Sequence, residues 1–194
     1  MIHPTALVET DRIGRGTRVW AFTHVLPGVS IGRDCNIGGH CYIESGATVG
    51  DRVTVKNGNH LWSGVTLEDG VFVGPGVVFT NDRHPRSPRL GVTGSRYEHE
   101  SGWMQRTRVG RGATLGAGAV LLPGLTIGEF AFVAAAALVT RDVAPHALVA
   151  GHPAERVGWV CRCGRSLEPR GDRLVCGECG LAYRADEAAI SGPL

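Results

Sequence analysis

The sequence predicts an all-β protein made of many short strands, with one external loop and a small cysteine-rich tail. Three observations support this prediction: aliphatic residues recur at every sixth position, 29 of the 194 residues are glycine, and two cysteine pairs lie near the C-terminus. So much glycine disfavours a helical bundle, because a glycine inside a helix costs about 1 kcal/mol. The apolar fraction of 43 % is sufficient for a buried core and argues against disorder.

The strands are predicted from the six-residue period. An aliphatic residue or phenylalanine stands at every sixth position from Leu7 to Phe79 and again from Val109 to Val139. This period fits one short strand and one tight turn per hexad. We expect the periodic residues to face inward, short residues two positions earlier to fill the corners, and the glycines just after the periodic residues to relax the turns. A β-sandwich is the alternative, but its strands would vary in length.

The period fails between residues 80 and 108, a segment rich in arginine that also contains two prolines. Residues that leave a regular array form a loop, and long loops in compact domains are usually functional. A tolerated surface insertion is the alternative. The sequence therefore divides into a repeat domain, residues 1–157, which carries the loop 80–108, and a zinc-ribbon-like tail, residues 158–194.

The tail is predicted from four of the six cysteines. They form a CxC pair and, 12 residues later, a CxxC pair, each with a glycine just beyond it. Four thiolates suit tetrahedral Zn²⁺, so we predict a structural zinc site formed by Cys161, Cys163, Cys176 and Cys179. Two disulfides are the alternative, and they are disfavoured in a reducing compartment. The other two cysteines, Cys35 and Cys41, occupy short inward positions of the repeat and are expected to be inert core residues.

The charge and hydropathy of the chain exclude several classes of function. The 20 basic and 18 acidic side chains leave a net charge of +2, so we expect neither nucleic acid nor an anionic membrane as a partner. The longest apolar run, residues 130–139, is too short for a membrane helix. The first residues lack the basic and apolar segments of a secretory signal. We therefore expect a cytoplasmic protein.

The hexad pattern resembles the left-handed parallel β-helix of the hexapeptide-repeat acyltransferases, in which three hexads form one triangular coil. Within residues 1–157, the segments 53–58 and 77–82, with Pro85 and Arg86 after them, resemble one subfamily. This subfamily is the nucleotide-amino-sugar N-acetyltransferases that acetylate a sugar 3-amino group. The resemblance implies acetyl-CoA as co-substrate, a UDP- or dTDP-linked 3-amino sugar as acceptor, and a homotrimer.

The resemblance also implies where the substrate binds. Residues 18 apart would stack in columns, and the loop leaves next to one such column. The predicted substrate-binding residues are His24, Tyr42, Lys56, Asn57, His60, His84 and Arg86. The predicted catalytic residues are Asn81 and Asp82. Because asparagine is not a base, we expect Asn81 to orient the amine or polarise the carbonyl, with the CoA thiolate accepting the proton; His24, His60 and His84 are rival bases.

Acetyl-CoA is expected along the later coils, in a groove between subunits. Small residues there would let the pantetheine arm approach the backbone, and arginine suits phosphate oxygens. The predicted CoA-binding residues are Gly116, Ala117, Gly118, Pro123, Ala134, Ala135, Arg141 and Arg156.

Two other functions compete with acetyl transfer on this scaffold. One is a non-catalytic, trimeric β-helix binding scaffold. The other is a metalloenzyme similar to the β-helix carbonic anhydrases, which requires three histidines at one zinc ion. His24 and His60 would lie two coils apart, about 10 Å by strand spacing, which is too far for both to bind one ion.

Overall fold

The computed structural model describes residues 1–185 and 190–191, which form 24 strands and two 3₁₀ turns. The end of the predicted tail, residues 186–189 and 192–194, lies outside the described residues. The 3₁₀ turns are Gly91–Thr93 and Glu100–Gly102. The strands are β1 (Leu7–Val8), β2 (Arg18–Val19), β3 (His24–Val25), β4 (Ser30–Ile31), β5 (Asn36–Ile37), β6 (Tyr42–Ile43), β7 (Thr48–Val49), β8 (Thr54–Val55), β9 (His60–Leu61), β10 (Val65–Leu67), β11 (Phe72–Val73), β12 (Val78–Phe79), β13 (Thr107–Val109), β14 (Thr114–Leu115), β15 (Val120–Leu121), β16 (Thr126–Ile127), β17 (Phe132–Val133), β18 (Leu138–Val139), β19 (Ala147–Gly151), β20 (Ala154–Trp159), β21 (Leu167–Arg170), β22 (Arg173–Cys176), β23 (Ala182–Ala185) and β24 (Ile190–Ser191).

Three sheets of parallel strands form the triangular prism of the predicted left-handed β-helix. Sheet 1 has the order β1-β3-β6-β9-β12-β15-β18, sheet 2 the order β16-β13-β10-β7-β4, and sheet 3 the order β2-β5-β8-β11-β14-β17-β19-β20. The chain passes through sheets 3, 1 and 2 in turn, so each coil has three corners. They are named by the two sheets that they join: the 3/1 corner, the 1/2 corner and the 2/3 corner. Strand partners such as His24 and Tyr42 lie 18 residues apart, as three hexads per coil require.

The core consists of the inward residues of every hexad. The periodic aliphatic residues from Val19 onward are buried, and so are the short residues two positions before them. Where such a short residue is polar, it bonds to the neighbouring coil: Thr17 Oγ1 donates to the Gly32 carbonyl at 2.6 Å and accepts from the Cys35 amide at 3.0 Å. Asn59 does the same with the Gly74 carbonyl and the Val77 amide. Its amide, unexpected at an inward position, is therefore fully satisfied.

The prediction that Leu7 faces inward is wrong. Leu7 is 55 % exposed, and its neighbour Val8 pairs with Val25 in the inward column. The first coil has 17 residues instead of 18, because Val8 and Val25 are 17 positions apart. A shift of one residue along a strand exchanges its inward and outward sides.

The glycines have a different role from the predicted one. A Cβ on Gly50 would lie 2.8 Å from the backbone nitrogen of Asp69, on the next coil. The glycines after the periodic residues thus allow neighbouring corners to approach closely. The turns themselves are made by a second six-residue series with positive φ, which includes Gly58 (71°), Gly70 (68°) and Gly76 (65°).

The loop is an insertion at one corner of a coil, and the coil continues in register after it. It leaves the 1/2 corner after β12, and β13 pairs with β10 with Thr107 opposite Val65. Thr107 and Arg108, expected in the loop, are therefore strand residues. Within the described residues, no helix is long and apolar enough to cross a bilayer.

The chain after the last coil forms a hairpin and then a small separate sheet. The antiparallel hairpin β19–β20 ends sheet 3, and strands β21 to β24 form a four-stranded antiparallel sheet. Tyr183 is fully buried in a second core. The ring of His146 lies between Phe130 of the β-helix and Tyr183, with centroid distances of 5.3 and 5.2 Å, and so connects a half-buried ring of the β-helix to the second core.

Replacing Gly50 by alanine is expected to destabilise the β-helix. The new Cβ would overlap backbone atoms of Asp69, which cannot rotate away, so we expect a loss of about 1–3 kcal/mol in the free energy of unfolding. Chemical denaturation measures it. Gly91→Ala, in the loop, is the control, because a Cβ there meets nothing within 4 Å. Equal stability of the two variants would contradict the close-approach role of Gly50.

Candidate functional site

Sheet 1 carries a column of aromatic side chains on its outer face. His24, Tyr42 and His60 occupy equivalent positions on successive coils. Their rings meet edge to face, with centroid distances of 5.6 Å between His24 and Tyr42 and 6.3 Å between Tyr42 and His60. Trp62 joins them at 5.9 Å from Tyr42 and 5.5 Å from His60. These four side chains are called the aromatic wall below.

Trp62 was not predicted, and it connects the aromatic wall to the base of the loop. Its indole nitrogen donates to the carbonyl of Phe79 at 3.0 Å, and its ring packs against the core. Phe79 is the last residue of β12, so this bond fixes the point at which the loop leaves. The signal was available in the sequence, because Trp62 precedes Thr80, the first loop residue, by 18 positions.

His24 is oriented by a carboxylate that the sequence analysis did not identify. His24 Nε2 lies 2.7 Å from Glu9 Oε2, and both side chains are partly exposed, at 37 % and 42 %. This contact holds the His24 ring at the N-terminal end of the aromatic wall. His60, at the other end, is exposed.

Asn81 stands at the 1/2 corner, where the last regular coil ends and the loop begins. Its Nδ2 donates to the Ser63 carbonyl at 3.2 Å, and its own carbonyl accepts from the Gln105 amide at 2.8 Å. The side chain is thereby fixed with Oδ1 as its remaining acceptor. An amide held in this way can orient an amine by accepting one of its hydrogens.

Asp82, the second predicted catalytic residue, is engaged within the loop. Its Oδ1 accepts from the His84 amide at 2.8 Å and from Arg96 Nη2 at 2.7 Å, and its Oδ2 accepts from the Tyr97 hydroxyl at 2.8 Å. Burial alone would raise the pKa of Asp82, but the His84 amide, Tyr97 and Arg96 together hold it below its ordinary value. A carboxylate so stabilised is a weak base, and its three hydrogen bonds hold it within the loop.

The loop presents a positively charged cavity. Arg96 and Tyr97 hold the backbone of His84 and Arg86. Arg96 Nη1 donates to the His84 carbonyl at 2.6 Å, and the Arg86 amide donates to the Tyr97 hydroxyl at 2.9 Å. The side chains of His84 and Arg86 are exposed. They line a cavity of about 470 Å³ together with Arg83, Pro85 and Arg96.

Lys56 and Asn57 lie apart from Asn81 within one chain. They occupy the 3/1 corner, on the opposite edge of sheet 1 from the loop. Asn57 Oδ1 accepts from the Gly39 amide at 3.2 Å, and Lys56 Nζ lies 6.0 Å from the centre of the Phe72 ring. The structure therefore divides the predicted substrate-binding residues into three groups: the aromatic wall, this corner and the loop.

Most of the residues predicted to bind CoA also fall on the 3/1 corner. Gly116, Ala117 and Gly118 are stacked on Ala134 and Ala135, and a Cβ on Gly116 would lie 2.6 Å from the carbonyl carbon of Ala134. This late part of the corner is thus lined by backbone and methyl groups. Pro123 lies instead at the 1/2 corner, where its carbonyl accepts from Arg83 at 3.4 Å.

Arg141 and Arg156, predicted to contact CoA phosphates, line one cavity of about 340 Å³ at the C-terminal end of the β-helix. Both are already engaged. Arg141 forms an ion pair with Glu155, and the Arg156 guanidinium lies 4.4 Å from the centre of the Trp159 ring. A phosphate at this cavity would have to compete with Glu155 for Arg141.

The four tail cysteines converge on one point. Their sulfur atoms all lie within 4.8 Å of one another. Backbone amides donate to these sulfurs: the Cys179 amide lowers the pKa of Cys176 to about 7. The Arg165 amide likewise stabilises the Cys163 thiolate, but partial desolvation and three neighbouring thiols raise the pKa of Cys163 to about 12. Four such thiols ionise together only around a cation, so the donor set fits Zn²⁺.

Comparison with known proteins identifies the family. Residues 12–45 match the model of the bacterial transferase hexapeptide (six repeats). Over 190 residues the chain is 45 % identical to the dTDP-3-amino-3,6-dideoxy-alpha-D-galactopyranose 3-N-acetyltransferase of Aneurinibacillus thermoaerophilus, covering 98 % of this chain and 93 % of the relative. The chain belongs to the hexapeptide-repeat nucleotide-amino-sugar N-acetyltransferases.

Two further similarities are more limited. A stretch of 51 residues is 41 % identical to the chloramphenicol acetyltransferase of Agrobacterium fabrum (strain C58 / ATCC 33970) and covers 26 % of this chain and 24 % of that relative. The acetyltransferase domain of PglB from Neisseria gonorrhoeae FA1090, in complex with acetyl coenzyme A, has a TM-score of 0.53 and 22 % identity. That match covers 80 % of this family member and 56 % of the solved chain, so this family member spans about half of that structure. At this identity the likeness establishes the fold alone.

Replacing Asp82 by asparagine is expected to open the loop. The change removes the charge that pairs with Arg96. We expect the closed loop to lose about 1.5 kcal/mol of stability relative to the open loop, so the fraction of molecules with an open loop rises about tenfold. The rate of proteolysis reports this fraction when cleavage follows opening. Trypsin cleavage at the loop arginines measures this fraction. Asp172→Asn is the control, because the Asp172 side chain is 86 % exposed. Unchanged cleavage of the Asp82 variant would show that the carboxylate does not hold the loop.

Proposed function

We propose that this protein transfers the acetyl group of acetyl-CoA to the 3-amino group of a nucleotide-linked amino sugar. The observation that carries the proposal is the 45 % identity to a sugar 3-N-acetyltransferase over nearly the whole of both chains. The oriented amide of Asn81 at the base of a cationic loop supports it. The nucleotide is dTDP, as in that relative, or UDP.

The reaction forms a C–N bond and breaks a C–S bond. The neutral 3-amino nitrogen attacks the thioester carbonyl carbon, and the resulting oxyanion collapses with release of the CoA thiolate. The nitrogen then loses one proton, which the thiolate accepts to give CoA-SH. The protein must therefore place the amine and the thioester in contact and stabilise the developing charges.

Asn81 is the residue we assign to the amine. Its Nδ2 is held by the Ser63 carbonyl, so Oδ1 is free to accept one N–H of the amine and direct the nitrogen lone pair at the carbonyl. Asp82 acts on the reaction through the loop that it holds. We assign His24, Tyr42, His60, His84 and Arg86 to substrate binding. Because Glu9 occupies His24 Nε2, a base at this position would have to act through Nδ1.

Acetyl-CoA is assigned to the late part of the 3/1 corner. There Gly116, Ala117, Gly118, Ala134 and Ala135 leave the backbone accessible to the pantetheine arm. Arg141 and Arg156 would meet its phosphates, and Pro123 would border the reacting end beside the loop. We also propose a homotrimer, since Leu7 and Val78 on sheet 1 are 55 % and 47 % exposed and would be covered by a neighbouring subunit.

The chain is proposed to consist of two units, the catalytic β-helix, residues 1–157, and a zinc-binding tail, residues 158–194. The four cysteine sulfurs would hold the ion, whose binding would supply folding free energy to a sheet with a small core. Free thiols of this kind persist in a reducing compartment, in keeping with a cytoplasmic protein. Among the described residues of one chain, the cysteine cluster is the one group of three or more metal-ligating side chains.

Kinetics of three variants test the role of Asn81. Asn81→Ala is expected to lower kcat by about ten- to a thousandfold, because it removes the group that orients the amine. His24→Ala and His60→Ala are expected to raise KM for the amino sugar and leave kcat within about threefold. Loss of kcat in a histidine variant, with normal kcat in Asn81→Ala, would contradict the assignment. A protein that binds the ligands without turnover would instead be a binding scaffold.

Metal analysis tests the tail. Purified protein is expected to carry one zinc ion per chain, and Cys176→Ser is expected to lose the zinc and unfold the tail, visible as a loss of near-ultraviolet circular dichroism from Tyr183. Cys41→Ser is the control, because Cys41 is buried in the β-helix and should leave zinc binding intact. Zinc-free wild-type protein with a folded tail would contradict the proposal.

A further inference from the structure

The hairpin β19–β20 connects the end of the β-helix to the tail, and its second strand contains a β-bulge. Leu148 lies opposite Gly158, but the next residue along β19, Val149, lies opposite Arg156. Val157 is therefore an extra residue on β20, and its side chain is 62 % exposed. Such an insertion changes which side chains of a strand share one face.

The bulge brings Arg156 and Trp159 to the same face of β20. Residues three apart on a regular strand point to opposite faces. Here Arg156 lies opposite Val149 and Trp159 lies opposite Ala147, and directly opposite residues of an antiparallel pair share a face. Both partners are buried, and both line the cavity of about 340 Å³ at the C-terminal end of the β-helix. The bulge thus brings the two side chains together at this cavity.

Trp159 contacts the Arg156 guanidinium and the two cores of the molecule. The guanidinium carbon lies 4.4 Å from the centre of the indole ring, within the range of a cation–π interaction. The half-buried ring packs against the core of the β-helix and against the core of the tail. The next residue is fixed as well: the Val160 amide donates to the His146 carbonyl at 2.8 Å, and His146 Nδ1 donates to the Val160 carbonyl at 2.9 Å. The position of the ring therefore depends on the folded tail.

The two arginines of the cavity differ in what they offer to an anion. Arg141 forms an ion pair with Glu155, so its charge is already compensated by a carboxylate. Arg156 lies over an indole ring, which holds a guanidinium without neutralising it. The N–H donors at the edge of a stacked guanidinium stay available, and they match phosphate oxygens in geometry and charge. Of the two arginines, Arg156 is therefore the one prepared to bind phosphate.

We propose that Trp159 is a positioning residue through which the tail takes part in CoA binding. The ring holds the Arg156 guanidinium in one orientation, and the folded tail holds the ring. A side chain that is already fixed loses less conformational entropy when it binds, so its contact with a phosphate contributes more to affinity. The tail then has a function beyond its own folding. This inference rests on the proposed function for the identity of the ligand.

Calorimetry of CoA binding to the full chain tests the role of the ring. Trp159→Leu keeps an apolar side chain between the two cores but removes the aromatic face, whereas Trp159→Phe keeps an aromatic face. We expect Trp159→Leu to raise the Kd of CoA about three- to tenfold, and Trp159→Phe to retain most of the affinity. Val157→Ala is the control on the same strand, because Val157 is exposed, and its Kd should equal that of the wild type. Equal Kd values for Trp159→Leu and the wild type would overturn the inference.

A double-mutant cycle separates positioning from a merely structural role. Arg156→Gln should raise the Kd of CoA about tenfold, as the loss of a charged hydrogen bond predicts. Adding Trp159→Leu to this variant should change the Kd less than about twofold, because Trp159 acts through Arg156. The same loss from Trp159→Leu in both backgrounds would show a structural role and overturn the inference, and so would an unchanged Kd in Arg156→Gln.

The ligand 3′-dephospho-CoA identifies the phosphate. If Arg156→Gln does not weaken the binding of this ligand, Arg156 contacts the 3′-phosphate, and if it weakens both ligands equally, Arg156 contacts the diphosphate. Acetyl transfer to a 3-amino sugar that continues in all variants, with unchanged CoA affinity, would overturn this inference and leave the proposed function standing. A wild type that binds CoA with the expected dependence on Trp159 and Arg156, but acetylates no amino sugar, would overturn the proposed function alone.

Discussion

The close stacking of coil on coil is the constraint on which the structure depends. Each corner of the β-helix rests on the next, so closely that a Cβ on Gly50 would come within 2.8 Å of the following backbone. Inward side chains must then pack against those of the adjacent coil, and polar ones such as Thr17 and Asn59 must bond to it. Because each coil must stay in register with the next, variation is confined to outward columns, corner residues and insertions. The groups that we assign to function occur in these three places.

The candidate site follows from this constraint. The aromatic wall is an outward column, whose rings are held about one strand spacing apart by the backbone. Asn81 and the loop form an insertion at a corner, and the chain returns to register at Thr107. The loop lacks a core of its own, so Asp82 holds it through Arg96 and Tyr97. Trp62 ties the wall to the start of the loop. A rigid solenoid thus positions a charged loop, to which Asn81 and Arg83 also connect it through the Ser63 and Pro123 carbonyls.

The sequence predicts the regular part of this molecule well and its irregular parts poorly. The six-residue period predicts the strands, the buried residues and the column His24–Tyr42–His60, because each depends on spacing alone. The period does not reveal the 17-residue first coil, so Leu7 is assigned to the wrong side. The sequence does not predict that Glu9 contacts His24 or that Arg96 and Tyr97 contact Asp82. These contacts depend on the directions of individual side chains in one coil and one loop. The cysteines converge as predicted, because two short turns suffice to bring them together.

The position of the new acetyl group on the product would show directly whether this site acetylates a sugar 3-amino group. The protein would be incubated with acetyl-CoA and dTDP- or UDP-linked sugars carrying the amino group at C3 or at C4, and with galactoside and chloramphenicol hydroxyl acceptors. Thiol release and nuclear magnetic resonance of the products would be followed together. Acetyl transfer to the 3-amino group would give stoichiometric CoA release with a 3-amino sugar and an amide at its N3. Acetylation of a hydroxyl acceptor or of the 4-amino sugar, with the 3-amino sugars left unchanged, would contradict it.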